Sequence, residues 1–188
     1  MILRPLPRGG ALPAPLLAEL TALYASQAEF HALSGDFPDP SDIRPEQVEA
    51  ALAGELAHPD AEVLLAHVRD PGQAPATDAP PGERLVALAV TLAHHPDPAD
   101  PDPWIGLLMV GAAEQRRGYG RTVATLVEDR FRAAGRDAVR LAVLDGNTRG
   151  TAFWTALGYR AVAHRPDRAL GRPCTVLRKP LRAPGTDL

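Results

Sequence analysis

Apolar positions along the chain follow two periods, and the switches between them divide it into helices and strands. Over 13–30, Leu16, Leu20, Leu23 and Tyr24 recur at helical spacing behind Pro13 and Pro15, which predicts a first helix with proline in its opening turn. Val48, Leu52 and Leu56 form one stripe over 45–57 with Pro45 at its start, and predict a second helix. The short apolar runs 62–68, 85–92 and 104–110 predict strands, and 2–7 predicts a first strand that Pro5 and Pro7 confine to a sheet edge. Helical period returns over 122–134, and 138–143 (Ala-Val-Arg-Leu-Ala-Val) alternates as a strand. A short helix follows over 148–157, with Asn147 as its N-cap and Gly158 as its C′ residue, and strands over 159–164 and 172–178 close the sheet. Loops at 31–44, 70–82 and 93–103 hold many of the prolines and aspartates. No repeat and no linker separates two cores. The expectation is one α/β domain over 1–188, a mixed and mostly antiparallel sheet flanked by helices.

One connection carries chemistry. Between the strand at 104–110 and the helix at 122–134 stands Gln115-Arg116-Arg117-Gly118-Tyr119-Gly120. Two glycines two apart let the chain turn sharply and bring an anion against bare backbone, while the following helix offers unpaired N–H groups and the positive end of its dipole. Arg116, Arg117 and Arg121 add charge that pairs well with phosphate. The loop reads as a pyrophosphate cradle.

Glycine spacing narrows the kind of cradle. A Walker loop needs Gly-Lys-Ser/Thr, and here Gly120 precedes Arg121 and Thr122. A dinucleotide fingerprint needs a third glycine where Val123 stands. The pattern that remains, strand, Q/R-x-x-G-x-G/A, helix, resembles the acyl-CoA site of the GNAT family of N-acetyltransferases. A second motif of that family, N-x-x-A/G-x-x-F/L-Y/W-x-x-x-G-F/Y, is matched position by position from Asn147 through Gly150, Phe153, Trp154 and Gly158 to Tyr159. Together the motifs span about 104–160, and the first hundred residues match in element order alone.

The resemblance implies a cofactor half at about 104–160, an acceptor-shaping half at about 1–100, and a splayed central strand pair that binds acyl-CoA. It implies acetyl-CoA as acyl donor and no metal, with direct attack by a primary amine of a small molecule or peptide in a ternary complex. Transfer to a protein N-terminus or lysine, and a non-catalytic acyl-CoA-binding module, stand as alternatives. The cofactor residues it implies are Gln115, Arg116, Arg117, Gly118, Tyr119, Gly120, Arg121 and Thr122 on the loop and helix start. To these it adds Leu108, Met109 and Val110 beside the pantetheine arm, and Asn147, Gly150, Phe153 and Trp154 on the short helix. The Val110 or Met109 main-chain N–H is the implied carbonyl polariser. Tyr24, Phe30, His31 and Phe37 are acceptor-pocket candidates by the same resemblance. Many members carry at position 154 a tyrosine that protonates the departing thiolate; Trp154 cannot do so, because an indole N–H has no useful acidity. The strand at 104–110 holds no carboxylate, so candidate proton carriers lie elsewhere: His31, Asp145, His164, and the loop with His94 and His95. Members of the family are commonly dimers, which makes a homodimer a candidate assembly.

Composition excludes more than it selects. At 188 residues the chain can bury one sizeable core. A formal charge of −3 with both signs interspersed argues against a nucleic-acid surface. No window reaches membrane-spanning length and the N-terminus lacks a continuous apolar core, so a cytoplasmic protein with no membrane partner is expected. The one cysteine, Cys174, permits no internal disulfide and reads as a small buried hydrophobe. His94, His95, Asp97, Asp100 and Asp102 read as a solvated loop.

Overall fold

A computed structural model describes residues 1–69, 82–168 and 170–182. Nearly all of the loop expected at 70–82 lies outside the described residues. In chain order the elements are β1 (Ile2–Pro5), α1 (Ala14–Ala25), α2 (Ala28–Ser34), α3 (Pro45–Ala57), β2 (Ala61–Arg69), β3 (Glu83–Leu92) and β4 (Trp104–Val110). A 3-10 turn (Ala112–Glu114), α4 (Tyr119–Ala133), β5 (Ala138–Leu144), α5 (Thr148–Ala156), β6 (Arg160–Pro166) and β7 (Pro173–Pro180) follow. The strand order is β1-β2-β3-β4-β5-β7-β6. β1 runs antiparallel to β2 from Ile2↔His67 to Pro5↔Leu64, and β7 is antiparallel to both β5 and β6. β4 and β5 are parallel, as expected for a mixed and mostly antiparallel sheet.

The chain divides into two compact units, 1–91 with 107–124, and 92–106 with 125–188. In the first, the α1 and α3 stripes meet the sheet: Leu20, Leu23, Val48 and Leu52 pack with Val63, Leu65, Leu88, Val90 and Met109 in one core. α3 begins where Pro45 suits a first turn, and the Gln47 side chain accepts from the Arg44 N–H at 2.9 Å to close that end.

The helix expected over 13–30 is two helices. α1 ends at Ala25, Ser26 caps it with its backbone still in the right-handed helical region, Gln27 leaves that region, and α2 runs from Ala28 to Ser34. α2 therefore occupies the start of the segment expected to be loop, and it stops at Gly35, whose φ of 69° is a left-handed cap. Helical periodicity cannot register the break, because both halves turn an apolar face to the same core.

Tyr24, Phe30, His31 and Phe37 form an aromatic cluster in this unit. His31 stacks on Tyr24 at 5.6 Å between centroids and meets Phe37 edge-on at 4.8 Å and Phe30 at 5.3 Å. Three of the four are core residues, with Tyr24 4% exposed, His31 1% and Phe37 6%; Phe30 is half-buried. Neither ring nitrogen of His31 has a hydrogen-bond partner among the described residues. Burial pushes its pKa down, against a weaker opposing pull from Asp36 and the Tyr24 backbone.

In the second unit, Tyr159, Leu141, Val139, Val127 and Val176 are almost fully buried, and so is Glu128 on α4, at 2% exposed. The Tyr159 hydroxyl donates to Glu128 at 3.1 Å, Lys179 Nζ donates at 2.7 and 2.9 Å, and Arg132 at 3.2 Å, so the buried carboxylate is saturated. Cys174 is buried and its thiol donates to the Arg165 carbonyl at 3.0 Å.

The loop read as solvated is pinned instead. Asp100 is 4% exposed and pairs with Arg140, Arg165 and His95, the last at 3.4 Å. Asp102 takes Arg140 and Arg178 at 2.8 Å each. Burial opposes its charge, but the two guanidinium groups outweigh that and hold its carboxyl below the usual range. His95 stacks on Trp104 at 4.7 Å, with the Arg165 guanidinium 5.7 Å from the same ring. The aspartates that suggest solvent in the sequence have their cationic partners far off in the chain.

Unfolding measurements probe both buried polar groups. Asp100→Ala should destabilise by about 2 kcal/mol in urea unfolding, because it removes the buried carboxylate to which the part-buried Arg140 and Arg165 donate; a change near zero would show the network to be dispensable. His31 has a folded pKa below its unfolded value of about 6.5, so the unfolded chain gains the proton first and stability falls as pH drops through that value. His67 and His95 shift the same way. His31→Leu should therefore shrink the loss of urea midpoint between about pH 7.5 and about pH 5.5; an unchanged loss would remove His31 from the account.

Candidate active site

The site starts from the end of β4. β4 pairs with β5 through Trp104↔Arg140 and Ile105↔Leu141, and the ladder goes no further along β4. Met109 turns into the first core, while Leu107, Leu108 and Val110 stay half-buried. The chain then leaves the strand at Gly111, whose N–H donates to the Val86 carbonyl at 3.0 Å, and makes the 3-10 turn Ala112–Glu114. Glu114 on that turn pairs with Arg84 and, at 3.4 Å, with Arg117, so Arg117 is tied to the scaffold.

The cradle itself differs from its sequence description. Gly118 has φ of 83° and Arg116 has φ of 62°, both left-handed, with Arg117 on the ordinary side between them. Alternating handedness turns successive N–H groups toward one concavity. Gly120 is not part of that turn: α4 starts at Tyr119, three residues before the expected start, and Gly120 lies in its first turn. The sharp turn therefore rests on Arg116 and Gly118, and Gly120 contributes as a residue without a side chain at a helix start.

None of the main-chain N–H groups from Arg116 to Arg121 donates to a protein acceptor among the described residues. The next one, of Thr122, donates to the Gly118 carbonyl at 3.1 Å and begins the helix ladder. Six consecutive donors, with the α4 dipole behind them and the exposed side chains of Arg116 and Arg121 beside them, suit a diphosphate. These residues fit the pyrophosphate of CoA.

α5 shows why the second motif has its residue types. Asn147 Oδ1 accepts from the Gly150 N–H at 2.8 Å, a cap of the kind expected. A Cβ at Gly150 would stand within 2.7–2.9 Å of the end of the Asn147 side chain, so a larger residue there would displace the capping amide. Trp154 is 8% exposed and meets Phe153 and Tyr159 edge-on at 4.9 and 5.0 Å. Gly158, at φ 90°, is the expected C′ residue. The opposite face of α5 lines an open groove of about 620 Å³ with Val143, Asp145, Thr148, Thr151, Thr155 and Thr175 among its walls.

Of the candidate proton carriers, Asp145 and His164 come together. His164 Nε2 lies 2.8 Å from Asp145 Oδ2, with both side chains well exposed. His164 pairs across β6–β7 with Thr175, which pairs across β5–β7 with Val143, so the histidine borders the groove. His31 is enclosed in the first core, His95 belongs to the Asp100 network, and His94 contacts Arg136. Sequence reading missed Ser26 and Gln27, whose side chains reach the end of β4; no motif marks them. Among the described residues no three His, Cys, Asp or Glu side chains are grouped to hold a metal, and no helix is long and apolar enough to cross a membrane.

The arrangement has relatives. No curated protein matches the sequence. Among solved structures, an acetyltransferase from Thermus thermophilus is 22% identical with TM-score 0.63, over 96% of this chain and 97% of that one. A spermidine N-acetyltransferase from Vibrio cholerae, in complex with CoA and spermine, is 13% identical with TM-score 0.63, over 96% and 95%. The ribosomal-protein-S18-alanine N-acetyltransferase from Escherichia coli is 15% identical with TM-score 0.57, over 100% and 99%. At these identities the likeness is one of fold. The family model for acetyltransferases (GNAT) matches residues 33–159, which take in the cradle, α4, β5 and α5. The chain belongs to the acetyltransferase (GNAT) family, and is an N-acetyltransferase whose acyl donor is acetyl-CoA.

Proposed function

We propose that the chain moves the acetyl group of acetyl-CoA to a primary amine of a small molecule or peptide, by direct attack in a ternary complex. The observation that carries this reading is the row of main-chain N–H groups from Arg116 to Arg121 without protein acceptors. Those groups hold the pyrophosphate and Arg116 and Arg121 add charge, while Gln115 and Thr122 bound the loop with their own N–H groups committed to Ala112 and Gly118. The main chain of Leu108, Met109 and Val110 runs beside the pantetheine arm, where the ladder to β5 has ended. Asn147, Gly150, Phe153 and Trp154 of α5 are assigned to the cofactor by the family motif they match.

When bound, acetyl-CoA supplies a thioester carbonyl open to a neutral amine and a thiolate leaving group with a pKa near ~8.5. The Val110 N–H, or that of Met109, polarises the carbonyl as charge develops on its oxygen. Such a main-chain donor survives any side-chain substitution. Trp154 donates no proton to the leaving group; its contacts make it a packing residue for α5. His164 and Asp145, 2.8 Å apart, are the candidate proton carriers that contact each other. Tyr24, Phe30, His31 and Phe37 shape the acceptor side from within the core, holding α1 and α2 in place. Proteins of this fold carry names that span a polyamine and a protein alanine as acceptors, which is in keeping with an amine here. A cytoplasmic setting is in keeping with a single buried thiol.

The reading is tested by acetyl-CoA-dependent release of free thiol across a panel of polyamines, amino sugars, peptides and lysine-bearing proteins. Turnover on a small amine or peptide supports it; saturable CoA binding with no turnover on any acceptor contradicts it. Gly118→Val should abolish CoA binding, because φ of 83° is costly for a β-branched residue, although no atom lies within 4 Å of its Cβ. Arg116→Ala should weaken binding by roughly two- to ten-fold and flatten its salt dependence. Unchanged affinity in Gly118→Val would remove the cradle. Trp154→Phe should keep kcat within about three-fold while lowering the melting temperature, and a loss of several orders of magnitude would give Trp154 a chemical role.

A further inference from the structure

The break between α1 and α2 is occupied by two side chains that serve a distant segment. Ser26 Oγ donates to the Leu23 carbonyl at 2.6 Å, closing α1, and accepts from the Ala112 N–H at 3.1 Å. Gln27, at φ −113° and ψ 35°, leaves the helical region. Its Nε2 donates to the Val110 carbonyl at 2.9 Å and to Ser26 Oγ at 3.0 Å. Gln115 Nε2 donates to Gln27 Oε1 at 3.1 Å and to the same Val110 carbonyl at 3.3 Å. All of these atoms belong to one compact unit.

The Val110 carbonyl thus takes two side-chain donors, and the N–H two residues on is held by Ser26. Between them the Gly111 N–H is fixed to Val86. The Val110 carbonyl and the Gly111 N–H belong to one planar peptide, so these bonds fix the unit that directly follows the one bearing the Val110 N–H and limit how the strand end can turn. A donor aimed at a developing oxyanion works by being held in place before the reaction, and a displacement of about 1 Å can cost roughly a hundred-fold in rate. Polarity explains the sequence here: an apolar residue at 27 would keep helical periodicity but leave this carbonyl with only the longer bond from Gln115.

We propose that Gln27 is a positioning residue for acetyl transfer. It clamps the end of β4 in its working orientation and, through the α1–α2 junction, ties the segment bearing Phe30 and His31 to the polarising backbone. This rests on the function proposed above. Gln27 meets the cradle only through the Gln115 side chain and touches none of the N–H groups from Arg116 to Arg121, so its removal should lower rate far more than cofactor affinity.

The test compares Gln27→Ala and Gln27→Glu with the unsubstituted protein in three measurements: kcat for acetyl transfer to the best amine of the panel, Kd for CoA by calorimetry, and melting temperature. Gln27→Glu keeps the shape but sets an acceptor against the Val110 carbonyl. A fall in kcat of at least about ten-fold in both variants, larger in Gln27→Glu, with Kd within about two-fold and melting temperature within a few degrees, supports the proposal. Unchanged kcat overturns it. A parallel loss of kcat, CoA affinity and melting temperature also overturns it, since that is the signature of a structural role. If the unsubstituted protein neither binds CoA nor releases thiol, the functional reading fails first and this inference with it.

Discussion

A run of main-chain N–H groups left free by the fold is the constraint on which the functional account depends. From Arg116 to Arg121 the backbone turns twice through left-handed conformations and enters α4 without internal acceptors for its donors. Deep in a core such a run would be prohibitive, because each unpaired N–H forfeits its hydrogen bonds to water. Here Arg116, Arg117, Gly118 and Arg121 are exposed, so water satisfies the donors until an anion replaces it. The scaffold has already met the cost of ordering the segment through the Glu114 ion pairs, the Val86 bond to Gly111 and the helix ladder starting at Thr122. An anion therefore meets donors already in position.

The same logic governs the end of β4. Its parallel ladder to β5 lasts two residue pairs, so the following residues carry main-chain groups that the sheet does not fully use. Gln27 and Gln115 take up one of them, the Val110 carbonyl. A strand end with partly committed polar groups can serve chemistry only if it is held, and here side chains from the α1–α2 junction hold it.

Much of this was legible in the sequence, and the reasons differ by element. α3 and β4 have the bounds their patterns predict, since a proline start and a continuous apolar run leave few alternatives. The Asn147 cap and Gly158 are readable because capping needs specific residue types at fixed offsets. The α1–α2 break was not legible, because Ser26 and Gln27 are set by partners more than eighty residues away. Gly120 resembled a loop glycine, yet it is helical, and the left-handed role falls to Arg116, a residue type that gives no such signal. The loop with Asp100 and Asp102 looked solvated because its neutralising arginines, Arg140, Arg165 and Arg178, lie on later strands. Periodicity and local chemistry report on neighbours in sequence; long-range polar pairing lies beyond their reach.

The central claim is that free N–H groups at the start of α4 hold the diphosphate of CoA. A titration of the ¹⁵N-labelled protein with CoA, followed by amide chemical shifts, tests it most directly. The account predicts that the largest shifts fall on the N–H groups of Arg116 to Arg121, with slowed hydrogen exchange at the same positions. Largest shifts along the groove of Asp145, Thr148 and Thr151, with the Arg116–Arg121 signals unmoved, would contradict it.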